Sequence, residues 1–358
     1  MKKVMVGMSG GVDSSVTALI LREKGYDVTG VTLKLFSDED IVQAKNDGKT
    51  CCALSDAEDA KKVAERLGFE HYMFDFRDIF RQHVMAQFAE SYLSGCTPNP
   101  CIECNKHCKF DNMLRKAQEL GFDYIATGHY AVREFDEKSG RYLLKKPADI
   151  SKDQTYVLYN LTQEQLAHTF FPLGTLTKTE VREIAEKAEL VNSHKPDSQD
   201  ICFVPDGKYV EFIRKFTGKE SVCGDFVDIN GKILGQHKGI INYTIGQRKG
   251  LGIALGKPTY VVRKNMNDNT VILGDEADLY TQSLIAYNVN LISVDEITEP
   301  LEIKAKTRYN QTEQPAVLSN IGNGLYKVDF EKPQRAVTSG QAVVFYDGDI
   351  VVGGGTIK

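Results

Sequence analysis

Between residues 1 and 130 short apolar runs alternate with segments of helical spacing, and that alternation leaves few folds open. Val4–Gly7 is an apolar run that ends in a glycine-rich turn. Ser14–Lys24 then has helical spacing through Val16, Leu19 and Ile20, and Val28–Leu35 reads as a second strand. Ser55 with Glu58 has the pattern of a capping box, opening a helix through Leu67 that stops at Gly68. Tyr72–Phe76 is a third strand and Ile79–Leu93 a long helix. Asn105–Leu120 is another helix, stopped by Gly121 before the strand Tyr124–Thr127. Strands joined through helices run parallel, because each crossover returns the chain to the same end of the sheet. The expected fold is therefore α/β, a parallel sheet with helices on both faces. Thr177 and Glu180 cap a later helix ending near Leu190, and residues 36–50 and 134–140 read as mobile loops.

After about residue 205 the period changes. Short alternating runs rich in Val, Ile, Thr and Tyr are broken by turns such as Asn230-Gly231 and Asp347-Gly348, the pattern of antiparallel β structure. With 358 residues the chain exceeds what one hydrophobic core usually organises. Two to three units are expected, the β-rich part being a small barrel or two small β-rich modules. No window holds enough consecutive apolar residues for a membrane span, and the N-terminal MKKVMVGMSGGVDSS does not read as a signal peptide. The expected location is the cytoplasm, where the eight cysteines are thiols, metal ligands or redox catalysts rather than a disulfide framework. A net charge of −5 argues against a surface that binds polyanions everywhere. Yet residues 229–267 hold Lys232, Lys238, Arg248, Lys249, Lys257, Arg263 and Lys264 and no acidic residue: a solvated basic face, or a local field for a phosphate backbone.

The turn after the first strand reads Gly7-Met8-Ser9-Gly10-Gly11-Val12-Asp13-Ser14-Ser15. Backbone N–H groups of such a turn, with the positive end of a helix behind them, cradle an anion without a cationic side chain. It lacks the Lys of GxxxxGK[ST], so it is not a Walker A loop, and it is not GxGxxG. The serines add donors, and Asp13 is a candidate ligand for Mg²⁺ beside phosphates. SGGVDSS resembles the signature of the N-type ATP pyrophosphatases, which activate a carbonyl oxygen by adenylation. The resemblance implies ATP and leaves the substrate open.

The cysteines are Cys51, Cys52, Cys96, Cys101, Cys104, Cys108, Cys202 and Cys223. In Thr97-Pro98-Asn99-Pro100-Cys101-Ile102-Glu103-Cys104-Asn105-Lys106, Asn105 is expected to cap the next helix. That would set Cys104 beside a positive helix end and Lys106, an environment that favours a thiolate nucleophile. Cys202 sits in Asp197-Ser198-Gln199-Asp200-Ile201-Cys202-Phe203. Cys108 and Cys223 read as buried and inert, and there is no second CxxC pair for structural zinc.

TPNPxxxCNK, ATGHY (Ala126–Tyr130), KDQTYVLY (Lys152–Tyr159), DSQDICF, TIGQRKGLG (Thr244–Gly252), KTRYNQ (Lys306–Gln311) and the terminal GGGTI together resemble the tRNA-specific 2-thiouridylase family, collinearly over essentially the whole chain. The resemblance implies three domains: an N-type ATP pyrophosphatase domain over 1–204, a small β-rich central tRNA-binding domain over 205–278 and a C-terminal antiparallel β-barrel over 279–358. It implies a cytoplasmic tRNA-modifying enzyme that adenylates the C2 carbonyl oxygen of the wobble uridine and then installs sulfur at C2, in tRNAs expected to be those for Lys, Glu and Gln. By similarity Gly7, Met8, Ser9, Gly10, Gly11, Val12, Asp13, Ser14, Leu33 and Gly128 bind ATP. Asn99, Pro100, Cys101, His129, Lys152, Asp153, Gln154, Arg308, Tyr309 and Gln341 contact tRNA. Cys104 matches the nucleophile and Cys202 the persulfide carrier, loaded by a cysteine desulfurase or a sulfur-carrier protein.

Relatives often carry Asp where this chain has Cys101, so its acid–base role is less direct. An alternative places a [4Fe–4S] cluster on Cys101, Cys104 and Cys202. Other readings are a lysidine-type adenylating ligase, which would have no use for Cys104 and Cys202, and a non-enzymatic tRNA-binding module. Lys304, Lys306 and Arg308 alternate and are expected on one strand face, with Tyr309 stacking on a base. His237 reads as exposed within the basic stretch, and His71, His83, His107, His168 and His194 as ordinary polar or core residues. The roles of Cys51 and Cys52 stay open, and a monomer is expected.

Overall fold

The computed structural model describes residues 1–37, 39–40, 54–197 and 201–358. Cys51, Cys52 and residues 198–200 of the DSQDICF motif lie outside the described residues, as does most of the 36–50 loop. Strands β1 (Lys3–Gly7), β2 (Asp27–Lys34), β3 (His71–Asp75) and β4 (Tyr124–Ala126) belong to a five-stranded parallel sheet. A hairpin, β5 (Val132–Asp136) and β6 (Arg141–Lys145), intervenes before β7 (Thr169–Phe170) completes the order β3-β2-β1-β4-β7. Because side chains alternate along a strand, β1 feeds two cores. Val4 and Val6 pack in the cluster that holds Val12 and Val16, and Met5 in the cluster that holds Phe80 and Phe110. That double burial is why the run is apolar throughout rather than alternating.

Helices α1 (Val12–Glu23), α2 (Leu54–Leu67), α3 (77–93), α4 (100–119), α5 (Gln163–Ala167) and α6 (Lys178–Lys187) accompany this sheet, and α7 (Tyr209–Thr217) follows it. Thr177 and Glu180 form the reciprocal capping box expected of them. Ser55, by contrast, falls inside the first turn of α2 rather than ahead of it. Helix α4 also starts earlier than its sequence suggested. Pro100, with its fixed φ and missing N–H, is the first helical residue, and Asn99 caps it by accepting from the Cys101 N–H at 3.1 Å. Asn105 is instead buried one turn inside, donating to the Val157 carbonyl at 2.9 Å. Residues 134–140, expected as a mobile loop, instead run from β5 into the turn of a hairpin in which Val132–Asp136 pairs with Arg141–Lys145.

The second half is β-rich, as its patterning predicted. Strands β8 (Gly224–Asp228), β9 (Ile233–His237), β10 (Tyr260–Asn265) and β11 (Thr270–Gly274) form a sheet ordered β10-β11-β8-β9, in which β11 and β8 run parallel and the other pairs antiparallel. Strands β12 (Tyr280–Leu291), β13 (Leu301–Lys306), β14 (Gln314–Gly322), β15 (Leu325–Arg335), β16 (Ala342–Asp347) and β17 (Ile350–Ile357) close into a six-stranded antiparallel barrel through the β12–β17 pairing. The GGGTI motif lies on β17. A Cβ on Gly353 would stand 2.2 Å from the Asn290 carbonyl, and one on Gly354 2.6 Å from the Tyr159 ring, so only glycine lets β12 and Tyr159 approach.

Several polar residues fall elsewhere than expected. Lys304 and Lys306 stand two apart on β13 and share its face, yet Lys304 is exposed while Lys306 is buried beside Asp153, and Arg308 lies beyond the end of the strand. His237 is buried, held between the Asn269 carbonyl and the Gly239 N–H at 3.0 Å each. Cys223 is exposed rather than buried. Lys264 of the basic stretch is half-buried with its ammonium nitrogen turned inward, whereas Arg248, Lys249 and Arg263 are exposed. Among the described residues no helix is long and apolar enough to cross a membrane.

Candidate nucleotide and thiol site

In the order β3-β2-β1-β4-β7 the winding reverses between β1 and β4, and ligands of open α/β sheets bind at the carboxyl ends of the strands at such a switch point. The loop 8–11 leaves β1 there. Thr32 of β2 donates to the Met8 carbonyl at 2.7 Å, and the Met8 N–H bonds the Val31 carbonyl at 2.7 Å, so the loop starts from a fixed backbone. Gly10 adopts φ +71, and a Cβ there would stand 2.2 Å from the Asp56 carbonyl. Gly11 caps α1 without a side-chain acceptor, which leaves the first turn's N–H groups for an anion. Ser14 and Ser15 hydroxyls both donate to the Gly11 carbonyl at 3.1 Å. On the far side, a Cβ on Gly128 would meet the Asp13 carbonyl carbon and the Ser14 nitrogen at 2.8 Å, so the turn after β4 abuts the start of α1.

Sequence reasoning missed the residues that complete this loop. Asn192 is buried and donates to the Gly10 carbonyl and to the Ser15 hydroxyl, 2.9 Å each. Lys178, in the first turn of α6, donates to both carboxylate oxygens of Asp13 at 2.7 and 2.8 Å, and Tyr130 donates to Asp13 Oδ1 at 2.8 Å. The same ammonium meets Asp197 at 2.8 Å, which also pairs with Lys152 at 2.8 Å and Arg182 at 3.2 Å. Burial raises the Asp197 carboxyl, but hydrogen bonds from Lys152 and Lys178 and their charges outweigh it and hold the group at about 2. Two lysines from outside the loop thus stand where a Walker-type loop would carry its own. No spacing rule connects residue 13 with residues 178 and 197, so only the fold reveals them.

This arrangement changes the reading of Asp13. Its carboxylate is engaged by Lys178 and Tyr130, and a cation would reach it only by displacing the lysine. Among the described residues no group of three or more His, Cys, Asp or Glu side chains is placed to hold a metal ion. A cluster on Cys101, Cys104 and Cys202 therefore does not fit these side chains, whereas Mg²⁺ beside phosphates needs only one or two carboxylates and so does not depend on such a group.

The thiols occupy the neighbouring core. Cys104 and Cys108 are buried on α4, where residues Cys104–Asn112 wind in wide i→i+5 turns, a geometry frequent at functional sites. A hydrogen bond with Cys108 lowers the Cys104 thiol to about 7 against the opposing effect of burial, and the charge of Lys109 assists. Cys108 is pushed strongly up by the same bond and by burial, and the negative charge of Cys202 adds to this. Thus neither a helix N-terminus nor Lys106, which is exposed, activates Cys104. Cys202 is half-buried and anchored by its neighbour Phe203, which packs edge-on against Phe80, Phe88 and Phe212 at ring-centre distances of 5.5, 5.2 and 5.0 Å. Each such aromatic pair is worth about 0.5–1.5 kcal/mol beyond area burial.

The residues expected to meet tRNA divide into two groups. Cys101 is exposed on the first turn of α4, and Tyr309 is partly exposed, its ring 6.0 Å from that of Tyr156. Burial raises the Tyr309 hydroxyl, and the charges of Asp153 and Cys101 add to it, so these three groups are neighbours. Others serve as internal links. Gln154 accepts from the Tyr130 N–H at 2.8 Å, Gln341 donates to the Thr97 carbonyl at 2.7 Å, and Arg308 donates to the Ala336 carbonyl at 2.7 Å and the Ile245 carbonyl at 3.5 Å. Lys152 is committed to Asp197. His129 is buried on Thr127 at 2.8 Å and against Phe110 and Phe171. Burial, with Lys109 near by, lowers it well below the usual imidazole range, so it stays neutral. Leu33 is half-buried on β2.

Family profiles divide the chain in the same order as the three sheets. The profile of the tRNA methyl transferase HUP domain matches residues 2–206, that of the tRNA methyl transferase PRC-barrel domain residues 210–275, and that of the aminomethyltransferase beta-barrel domain residues 281–357. The tRNA-specific 2-thiouridylase MnmA of Clostridioides difficile (strain 630) is 54% identical over 357 residues, covering 100% of this chain and 98% of the relative. That of Acetivibrio thermocellus is 55% identical over 357 residues, covering 100% and 99%. Among solved structures, the NMN synthetase of Francisella tularensis aligns with 62% of this chain and 79% of its own, at 18% identity and a TM-score of 0.34. With full-length identity at this level, the chain belongs to the tRNA-specific 2-thiouridylase family.

Proposed function

We propose that this sulfurtransferase adenylates the C2 carbonyl oxygen of the wobble uridine in tRNAs for Lys, Glu and Gln, and replaces that oxygen with sulfur carried as a persulfide on Cys202. The observation that carries the reading is one domain holding both an uncapped glycine–serine loop at the sheet's switch point and a buried thiol lowered to about 7. ATP seats its phosphates on the loop N–H groups, with Lys178 and Lys152 as the cations beside them. The uridine O2 attacks the α-phosphorus, pyrophosphate leaves, and the loop donors take up the charge that develops on it.

AMP is now a good leaving group at C2. The terminal sulfur of the Cys202 persulfide attacks C2 and AMP departs, leaving the new sulfur bonded to both C2 and Cys202. The Cys104 thiolate then attacks the Cys202 sulfur, and the electron pair of the broken S–S bond goes to the sulfur on C2, which becomes the thiocarbonyl. A Cys104–Cys202 disulfide is left, and a dithiol reductant reopens it. Cys101 and Tyr309, exposed where α4 meets the barrel, support an entry for the base from that side. The exposed Arg248, Lys249 and Arg263 support contacts to the tRNA backbone. The enzyme acts as a cytoplasmic monomer, supplied with sulfur by a cysteine desulfurase or a carrier protein.

The test follows tRNA-dependent pyrophosphate release and 2-thiouridine by nucleoside mass spectrometry in Cys104→Ser and Cys202→Ser. Both variants should release pyrophosphate and yield no 2-thiouridine. Thiolation retained by Cys202→Ser would be decisive against the relay.

A further inference from the structure

We propose that Asn105 and Tyr156 are positioning residues for the sulfur-transfer step: through them the C-terminal barrel fixes the end of α4 that carries Cys104. The inference rests on the reading of Cys104 as nucleophile, and gives the barrel a part in the chemistry besides any hold on RNA. Its starting point is where α4 is fastened. The far end packs on the parallel sheet, where a Cβ on Gly7 of β1 would touch the Met113 sulfur at 3.4 Å. The first turns are fastened elsewhere. Asn105, 1% exposed, donates to the Val157 carbonyl at 2.9 Å, and Asn160 donates to the Ile102 carbonyl at 3.4 Å. Cys104 lies between these two joints, at the start of the wide i→i+5 turns.

Residues 155–161 are in turn held by the barrel. Tyr156, fully buried, donates to the Ala342 carbonyl of β16 at 2.8 Å, and the Thr155 and Tyr346 hydroxyls stand 3.3 Å apart. Asn290 of β12 donates to the carbonyls of Tyr159 and Leu161 at 2.8 and 3.0 Å. The chain entering α4 is held from the same place: the Thr97 N–H donates to the Ser339 carbonyl at 2.9 Å, and Gln341 to the Thr97 carbonyl at 2.7 Å. Residues 339–342 thus fix both the approach to α4 and the turn against which its first turns rest. Asn105 does more than fill space there. Its Oδ1 is buried with no partner among the described residues, a cost that an apolar side chain would not carry. What asparagine adds is the Nδ2 donor, and that donor goes to Val157. In a close-packed interior, loosening either joint shifts the Cys104 sulfur from its line of attack, and a misplacement of about 1 Å can cost about a hundredfold in rate.

The experiment uses the full-length protein. Steady-state 2-thiouridine formation is followed by nucleoside mass spectrometry in Tyr156→Phe, which loses one oxygen, in Asn105→Leu and in the double variant, with tRNA affinity from filter binding. Each single variant should lower kcat at least about tenfold and leave KM and Kd for tRNA within about twofold. The two joints act in series, so the double variant should match the slower single one within about threefold, whereas independent effects would multiply to about a hundredfold. Should Asn105→Leu not fold, Asn290→Ala, at the other barrel joint, takes its place in the cycle with the same expectation. An unchanged kcat in folded Tyr156→Phe would overturn the proposal. So would a rise in KM or Kd in place of the fall in kcat, or a double variant at the product of the single effects. Loss of the underlying reading is seen separately, as 2-thiouridine formation surviving Cys104→Ser, whatever the cycle gives.

Discussion

Asp197 is the most exposing single position to perturb, because one carboxylate holds three cations beside the nucleotide loop. Asp197→Asn keeps the shape and removes the charge that meets Lys178 and Lys152 at 2.8 Å and Arg182 at 3.2 Å. The native carboxyl titrates at about 2 against 3.8, and each unit is worth about 1.4 kcal/mol, which sets a ceiling of about 2.5 kcal/mol. With the side chain 27% exposed, solvent screening reduces this to about 1 kcal/mol. A carboxyl whose folded value is depressed stabilises the protein above its unfolded value and loses that contribution as pH falls through the folded one. The gap between wild type and Asp197→Asn, read from urea unfolding by circular dichroism, should therefore be full at neutral pH. It should narrow between 3.8 and about 2 and close below. ATP binding should move the other way. Removing one anion that competes for Lys178 should tighten ATP severalfold, about 0.5–1 kcal/mol. A variant as stable as wild type at neutral pH, or a gap that widens in acid, would refute the electrostatic reasoning.

Three further outcomes follow from the same geometry. Lys178→Met should raise the KM for ATP at least about tenfold, about 1.4 kcal/mol, with tRNA affinity unchanged in a filter-binding assay and partial recovery in Lys178→Arg. Gly128→Ala pushes a methyl group to 2.8 Å from the backbone of Asp13 and Ser14, neither of which can swing aside. It should cost about 1–3 kcal/mol in thermal stability and weaken ATP binding in parallel. Arg308→Met removes the donor that the carbonyls of Ala336 and Ile245 share, and should speed proteolysis between the central sheet and the barrel. Unchanged cleavage there would leave Arg308 as a tRNA contact alone.

What the sequence determined by itself was local. Apolar runs buried on both faces and spaced by helices announced the parallel sheet. The glycine–serine turn after the first strand announced a tight passage from strand to helix, and the period-two pattern after residue 205 announced β structure. These signals are legible because each depends on residues within one element or one turn. The capping box at Thr177 and Glu180 was readable for that reason, whereas Pro100 and Asn99 took the helix start that Asn105 had seemed to mark, since a proline's fixed φ outweighs a downstream cap residue.

Tertiary structure decided what depends on residues far apart. Only the fold brings Lys178 and Asp197 to Asp13, seats Asn192 on the phosphate loop, and commits Arg308 and Gln341 to links between modules. It also buried Cys104 and Cys108 together on α4. Whether a buried thiol is inert or charged depends on the donors packed around it, and packing is not written in residue spacing.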